Sequence, residues 1–229
     1  MRCHNRSVVM SRDEYLAKWS RTHGYDVASG SRFVRGWLTG AYAMSKPLAA
    51  MRLSADAVTV GGGLLAGGVA LLAWAGGRWL ILAGVVCVLS GIVDSLDGAV
   101  AILGGRVTSH GYVLDSLVDR VSDCVYLLAL WLAGASAWLC VLVGALTFLQ
   151  EYVRARATGA GMPDVGVVTV AERPTRVIVT ALALIVSGID LAHAWAQVGA
   201  IVWLALAAIG LVQLLFVVFA RLRESDEAE

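Results

Sequence analysis

The chain has 229 residues, 59% of them hydrophobic and only 15% charged, with a formal net charge of +1. Soluble domains carry about 45–50% apolar and about 25% charged residues, so this composition excludes a disordered, fibrous or ordinary cytosolic protein and points to a bilayer as solvent. The near-neutral charge gives no reason to expect a nucleic-acid partner.

Residues 1–55 form an N-terminal segment before the first long apolar run. It lacks the uninterrupted apolar stretch of a signal peptide. Ser11 with Glu14 three residues on makes a capping box and predicts a short helix. In 31–52, Phe33, Val34, Trp37, Leu38 and Tyr42 fall near helical spacing, flanked by Arg32, Arg35 and Lys46. That pattern predicts an amphipathic helix lying in a membrane interface. A plain juxtamembrane segment whose charges orient the protein fits as well.

Residues 56–222 read as an all-α membrane domain of six transmembrane helices, at roughly 57–76, 79–103, 111–134, 136–158, 174–191 and 196–220, each near the length that crosses a bilayer. All but Arg78 of the 18 Lys and Arg fall on one side of this arrangement. The positive-inside rule assigns that side, with both termini, to the cytoplasm. Glycines 61–63 stand mid-span and predict close helix packing. Cys3, Cys87, Cys124 and Cys140 show no pairing pattern and read as small apolar fillers. His193 reads as structural or interfacial, and residues 223–229 as a solvated tail.

Acids inside membrane spans are costly and mark function. Asp94 and Asp97 stand i, i+3 near the end of the second span. Asp115 and Asp119 stand i, i+4 on the third, followed by Asp123. Each pair shares a helical face, and the short connection makes the two helices antiparallel neighbours, so four carboxylates can converge. Converging carboxylates repel one another unless some take up protons or cations join them. Mg²⁺ or Mn²⁺, which prefer oxygen ligands, would remove the repulsion, and two such ions about 4 Å apart would clamp a diphosphate. Gly98 and Ala101 leave room for a ligand against the helix backbone. Two other readings stay open: separate salt bridges, for example with Arg106 and Arg120, or a proton or cation pathway in a transporter.

Asp94, Asp97, Gly98, Ala101, Gly111, Asp115 and Asp119 stand at the spacings D-x2-D-G-x2-A-R-x8-G-x3-D-x3-D. This pattern resembles the signature of the CDP-alcohol phosphatidyltransferases. The one departure is Ile102, which stands where the signature has arginine. The resemblance implies transfer of a phosphatidyl group from CDP-diacylglycerol to an alcohol, with release of CMP, by a homodimeric enzyme of the cell membrane whose active site faces the cytoplasm. It implies metal ligation by Asp94, Asp97, Asp115 and Asp119, with Asp119 as general base. It implies a nucleotide pocket at Gly98, Ala101 and Gly111. Arg106, four residues past Ile102, shares its face if the helix continues beyond Gly104-Gly105, and is the candidate substitute for the missing arginine. A divergent protein that binds CDP-lipid without turnover is the competing reading.

A second basic cluster flanks the fourth connection: Arg154 and Arg156, then Arg173 and Arg176 around Pro174. Arginines there enforce topology, and guanidinium is also well shaped to hold phosphate. The R-A-R-A run followed by E-R-P-x-R resembles the actinobacterial phosphatidylinositol-phosphate synthase branch. That resemblance implies that Arg154, Arg156, Arg173 and Arg176 bind the phosphate of the acceptor, inositol phosphate first and glycerol 3-phosphate second.

Overall fold

A computed structural model describes residues 10–23, 32–51, 53–162 and 169–226, and among these every regular element is an α-helix. The helices are α1 (Arg12–His23), α2 (Arg32–Ala50), α3 (Ala55–Ala75), α4 (Trp79–Leu103), α5 (Ser109–Leu132), α6 (Ala137–Gly159), α7 (Arg173–Ile189) and α8 (Trp195–Asp226). Helices α3–α8 fall within a few residues of the six expected spans. The exception is the C-terminus, where no Gly or Pro stops α8 and the helix continues six residues beyond 220 to Asp226.

Four helices are long and apolar enough to cross a membrane: α3, α4, α6 and α8. The other two expected spans form as helices but are polar or short. α5 carries Asp115, Asp119, Arg120 and Asp123. α7 has 17 residues, about 25 Å at about 1.5 Å per residue, and opens with Arg173 and Arg176.

In the bundle, α4 packs against α3 and α7, α3 also against α5, and α8 against α6 and α7. Its core includes Val69, Cys87, Tyr126, Leu130, Leu184 and Trp203. Cys87, Cys124 and Cys140 are free, as expected of apolar fillers. The three short connections α3–α4, α5–α6 and α7–α8 share one end; Ser136 N donates to Gln197 Oε1 at 2.7 Å across two of them. Trp74, Trp79, Trp131 and Trp138 are exposed near this end, the placement of an interfacial aromatic belt. There Asp190 accepts from Trp195 Nε1 at 3.0 Å and pairs with His193 Nδ1 at 2.7 Å, so His193 helps tie the α7–α8 connection. The hydrogen bond from Trp195 holds the Asp190 carboxyl below its ordinary pKa. Its contribution to stability is therefore present above the usual carboxylate range and is lost as pH falls through the depressed value.

Small residues set how closely the helices approach. A Cβ on Gly84 of α4 would lie 2.6 Å from the Ala181 carbonyl oxygen of α7. In the mid-span glycine run, Gly62 faces the Asp94 backbone nitrogen at 3.6 Å and Gly63 faces Val118 at 2.9 Å, while Gly61 faces open space. Close packing thus accounts for Gly63, whereas a Cβ at Gly62 would stand in ordinary contact. Ser90 Oγ donates to Gly62 O at 2.8 Å, and Tyr126 Oη donates to Ser90 Oγ at 2.9 Å, so α3, α4 and α5 are also joined by a buried polar chain.

The N-terminal helices pack at the acid end. The expected capping box is present, with Ser11 N donating to Glu14 Oε2 at 2.8 Å and Glu14 N to Ser11 Oγ at 3.3 Å. α2 lies against α4 with Leu38 and Ala41 buried and Trp37 exposed, an amphipathic arrangement. The side chains of Phe33 and Val34 and the tail residues 227–229 lie outside the described residues.

Gly84→Ala is expected to cost about 1–3 kcal/mol, because backbone oxygen cannot move aside for the added methyl. Gly61→Ala, into open space, is expected to leave stability unchanged or slightly raised. Thermal unfolding of the two variants in detergent checks the contrast.

Candidate functional site

Three carboxylates of α4 and α5 converge beside α3, which packs against both helices, so α4 and α5 are not the direct neighbours that the short connection predicts. Asp94, Asp97 and Asp115 each place an oxygen within 4.8 Å of the others. Asp97, 8% exposed, is held in place: its Oδ2 accepts from Thr59 Oγ1 of α3 at 2.6 Å and its Oδ1 from the Gly98 N–H at 2.5 Å. Hard oxygen donors with an orienting hydroxyl behind them fit a Mg²⁺ or Mn²⁺ site. Thr59 is a site residue that the sequence pattern does not single out. Its only signal is a lone hydroxyl in an apolar run, and such a hydroxyl commonly bonds within its own helix, as this one also does to Ala55 O at 3.1 Å.

Asp119 lies one turn beyond Asp115, outside the group of three. Its carboxylate meets Arg173 Nη1 and, at 3.6 Å, Arg120 Nη2. Arg173 also reaches Asp94 Oδ1 at 2.8 Å through Nη2. Its guanidinium therefore bridges one member of the carboxylate trio and Asp119. Arg173 stands at the first residue of α7, after Glu172 and before Pro174, where proline's missing N–H costs no helix bond.

A second polar network lies behind the first. Arg176, 2% exposed, donates to Asp123 Oδ2 at 2.8 Å, Glu151 Oε1 at 3.1 Å and the Ala171 carbonyl at 2.8 Å. Arg120 adds contacts to Glu151 at 3.0 Å and Asp123 at 3.4 Å. Arg154 pairs with Glu172 at 2.5 Å, and Glu172 also accepts from Thr169 N at 2.8 Å. Arg156, in the last turn of α6, is exposed. The four arginines thus divide: Arg173 on the acids, Arg154 on the loop before α7, Arg176 buried among α5, α6 and α7, and Arg156 at the surface.

Beside the trio a cavity of about 160 Å³ is lined by Asp97, Gly98, Ala101, Arg106, Gly111 and Asp115, among others. A second, of about 810 Å³, shares Ala101 and Arg106 with it and extends toward the end of α2. A Cβ on Gly98 would meet nothing within 4 Å, so this face is open. Gly111 donates its N–H to the Thr108 cap at 3.0 Å, and a Cβ there would meet Thr108 Oγ1 at 3.2 Å and Asp56 Oδ1 at 3.4 Å.

Arg106 reaches the cavity by a route other than a continuing helix. The chain turns at Gly105, with φ +65°, and Gly105 N donates to Ile102 O at 3.2 Å and Arg106 N to Ala101 O at 3.0 Å. This is a Schellman turn, and it ends α4 at the two glycines.

Replacing Thr59 by Val leaves the shape but removes the hydroxyl that orients Asp97. Mn²⁺ affinity is expected to fall by about 10-fold, as for other residues that orient metal ligands. Arg173→Ala is expected to do the reverse, because a guanidinium and a divalent cation compete for Asp94. Titration of free Mn²⁺ by electron paramagnetic resonance measures both.

Comparisons with known proteins give the chain its family. The model of the CDP-alcohol phosphatidyltransferase family matches residues 52–216. No curated protein sequence gives a significant match. Two solved structures of the Mycobacterium tuberculosis phosphatidylinositol phosphate synthase PgsA1 superpose with a TM-score of 0.65. One, in complex with manganese and citrate, is 27% identical, with 78% of this chain and 88% of that chain covered. The other, with CDP-DAG bound, is 26% identical and covered over 93% of its length. The match to the family model over most of the chain and the likeness to the synthase lead to one conclusion: the chain belongs to the CDP-alcohol phosphatidyltransferase family.

Proposed function

We propose that the protein transfers the phosphatidyl group of CDP-diacylglycerol to a hydroxyl of a phosphorylated polyol, inositol phosphate before glycerol 3-phosphate, and releases CMP. The observation that carries this reading is the group of Asp94, Asp97 and Asp115 within 4.8 Å, with Asp119 one turn away and an open cavity at Gly98 and Ala101. Bound CDP-DAG and manganese in the M. tuberculosis synthase structures support the donor and the metal.

In this reading Asp94, Asp97, Asp115 and Asp119 hold one or two Mg²⁺ or Mn²⁺ ions. The metal supplies positive charge to the diphosphate and to the departing CMP. Gly98, Ala101, Gly111 and Arg106 line the nucleotide pocket. The acceptor oxygen attacks the β-phosphorus, the bond from that phosphorus to the CMP oxygen breaks, and the hydroxyl proton passes to the Asp119 carboxylate. Arg173 is already in contact with Asp119, so a phosphate held by it brings the acceptor hydroxyl beside the base. Arg154 and Arg156 extend that grip. Arg176 has its donors engaged and holds the shape of the site from behind.

The surroundings belong to the same proposal. α5 and α7 complete six spans, with their charged ends at the cytoplasmic face. The exposed apolar faces of α5 and α6, including Leu128, Trp131, Val141 and Phe148, are available to lipid or to a second copy in a homodimer.

Asp119→Asn is expected to lower kcat by about 10²–10⁴-fold, the usual contribution of a general base. CMP release from CDP-diacylglycerol with Mn²⁺ and inositol phosphate measures it, and unchanged turnover would remove the base role. Arg154→Ala is expected to raise KM for the acceptor about 10-fold or more, the worth of a charged hydrogen bond, while KM for CDP-diacylglycerol stays put. A variant that shifts both constants equally would place Arg154 outside the acceptor grip.

A further inference from the structure

The residue at which the chain departs from its family's signature lies beneath the N-terminal helix. Ile102 is 2% exposed and packs in one apolar cluster with Tyr15 of α1 and Leu38 and Ala41 of α2. Tyr15 is 1% exposed and its ring stands 5.4 Å from that of Tyr42. Tyr42 Oη donates to the Met10 carbonyl just ahead of α1 at 2.8 Å. Helix α1 is therefore fixed in place by an aromatic anchor and a hydrogen bond.

The same seating brings a cation to α4. Tyr15 and Lys18 are i, i+3 on α1 and share a face. While Tyr15 fills the cluster, Lys18 Nζ donates to the carbonyl oxygen of Ile102 at 3.4 Å. Ile102 in turn walls the cavity that holds Asp97, Gly98, Ala101 and Asp115. The last carbonyls of α4 carry the negative end of the helix dipole. A phosphate approaching Gly98 and Ala101 meets that negative end, and a cation there offsets it.

We propose that Lys18, carried by α1, supplies at the end of α4 the positive charge that the signature arginine would bring, and so positions the diphosphate of the cytidine nucleotide. This inference rests on the proposed CDP-diacylglycerol chemistry. Lys18 then offsets the charge missing where isoleucine stands in the signature.

The test uses the full-length protein in detergent with Mn²⁺, CDP as the calorimetric ligand, and CMP release from CDP-diacylglycerol. Lys18→Met keeps the stem and removes the charge. It is expected to weaken CDP binding and raise KM for CDP-diacylglycerol by about 10-fold, with kcat, Mn²⁺ affinity and melting temperature nearly unchanged. Lys18→Arg is expected to bind CDP like wild type, and Ile102→Arg added to Lys18→Met to recover most of the lost affinity. CDP binding by Lys18→Met equal to wild type overturns the proposal. So does a loss accompanied by equal losses in Mn²⁺ affinity and melting temperature, which would make α1 a structural brace. Wild-type protein that binds Mn²⁺ but neither binds CDP nor releases CMP would remove the proposed function itself, a result distinct from a defect confined to the variant.

Discussion

The structure turns on the mutual repulsion of carboxylates gathered at one end of an apolar bundle. Asp94, Asp97, Asp115, Asp119 and Asp123 all lie on α4 and α5, two helices joined by a short connection and both packed on α3. Their charges cannot be dispersed by water as they would be on a soluble surface. Positive charge must come to them, and the chain brings it from α7 through Arg173 and Arg176 and from α5 itself through Arg120. The start of α7 is therefore both a structural tie and a part of the site. Such a tie is costly to break and of little net worth against an apolar alternative, so its presence reflects use more than stability.

Two layers of charge with different tasks follow from that constraint. The deep layer has Asp123 and Arg176 buried and Arg120 and Glu151 partly exposed, and its ion pairs link α5, α6 and α7. In the shallow layer, Asp94, Asp97 and Asp115 bring oxygens within 4.8 Å of one another, Asp97 and Asp115 line a cavity, and Asp119 stands one turn away. A rigid inner network under an accessible outer one is the arrangement needed to hold reacting groups in place, since first contacts with ligand are only as precise as their support. Close helix contact at Gly63 and Gly84 serves the same end by letting α3 approach α5 and α4 approach α7.

The elements at the cytoplasmic end of the proposed topology add to the site what the bundle lacks. The Schellman turn at Gly105 returns Arg106 to the cavity that a continuing helix would have carried it past. The interfacial helix α2 and the short α1 cover the end of α4 with an apolar cluster and bring Lys18 to its last turn. Helices α1 and α2 are thus packed onto the bundle at α4.

Much of this was legible in the amino-acid sequence. Six helices, the capping box at Ser11 and Glu14, the amphipathic α2 and the convergence of the aspartates all follow from local rules of periodicity, spacing and charge. Those rules act within a helix or between sequence neighbours. Only the tertiary structure decided which arginine meets which acid, because Arg173 and Asp94 are 79 positions apart and pair through the packing of α7 on α4. It likewise separated buried Arg176 from Arg154, paired with Glu172, and from Arg156 at the surface. It found Thr59 behind Asp97 and Lys18 beside Ile102, contacts that no spacing encodes. The sequence determined which residues could carry charge through an apolar chain; the fold determined which of those charges oppose, support or replace one another.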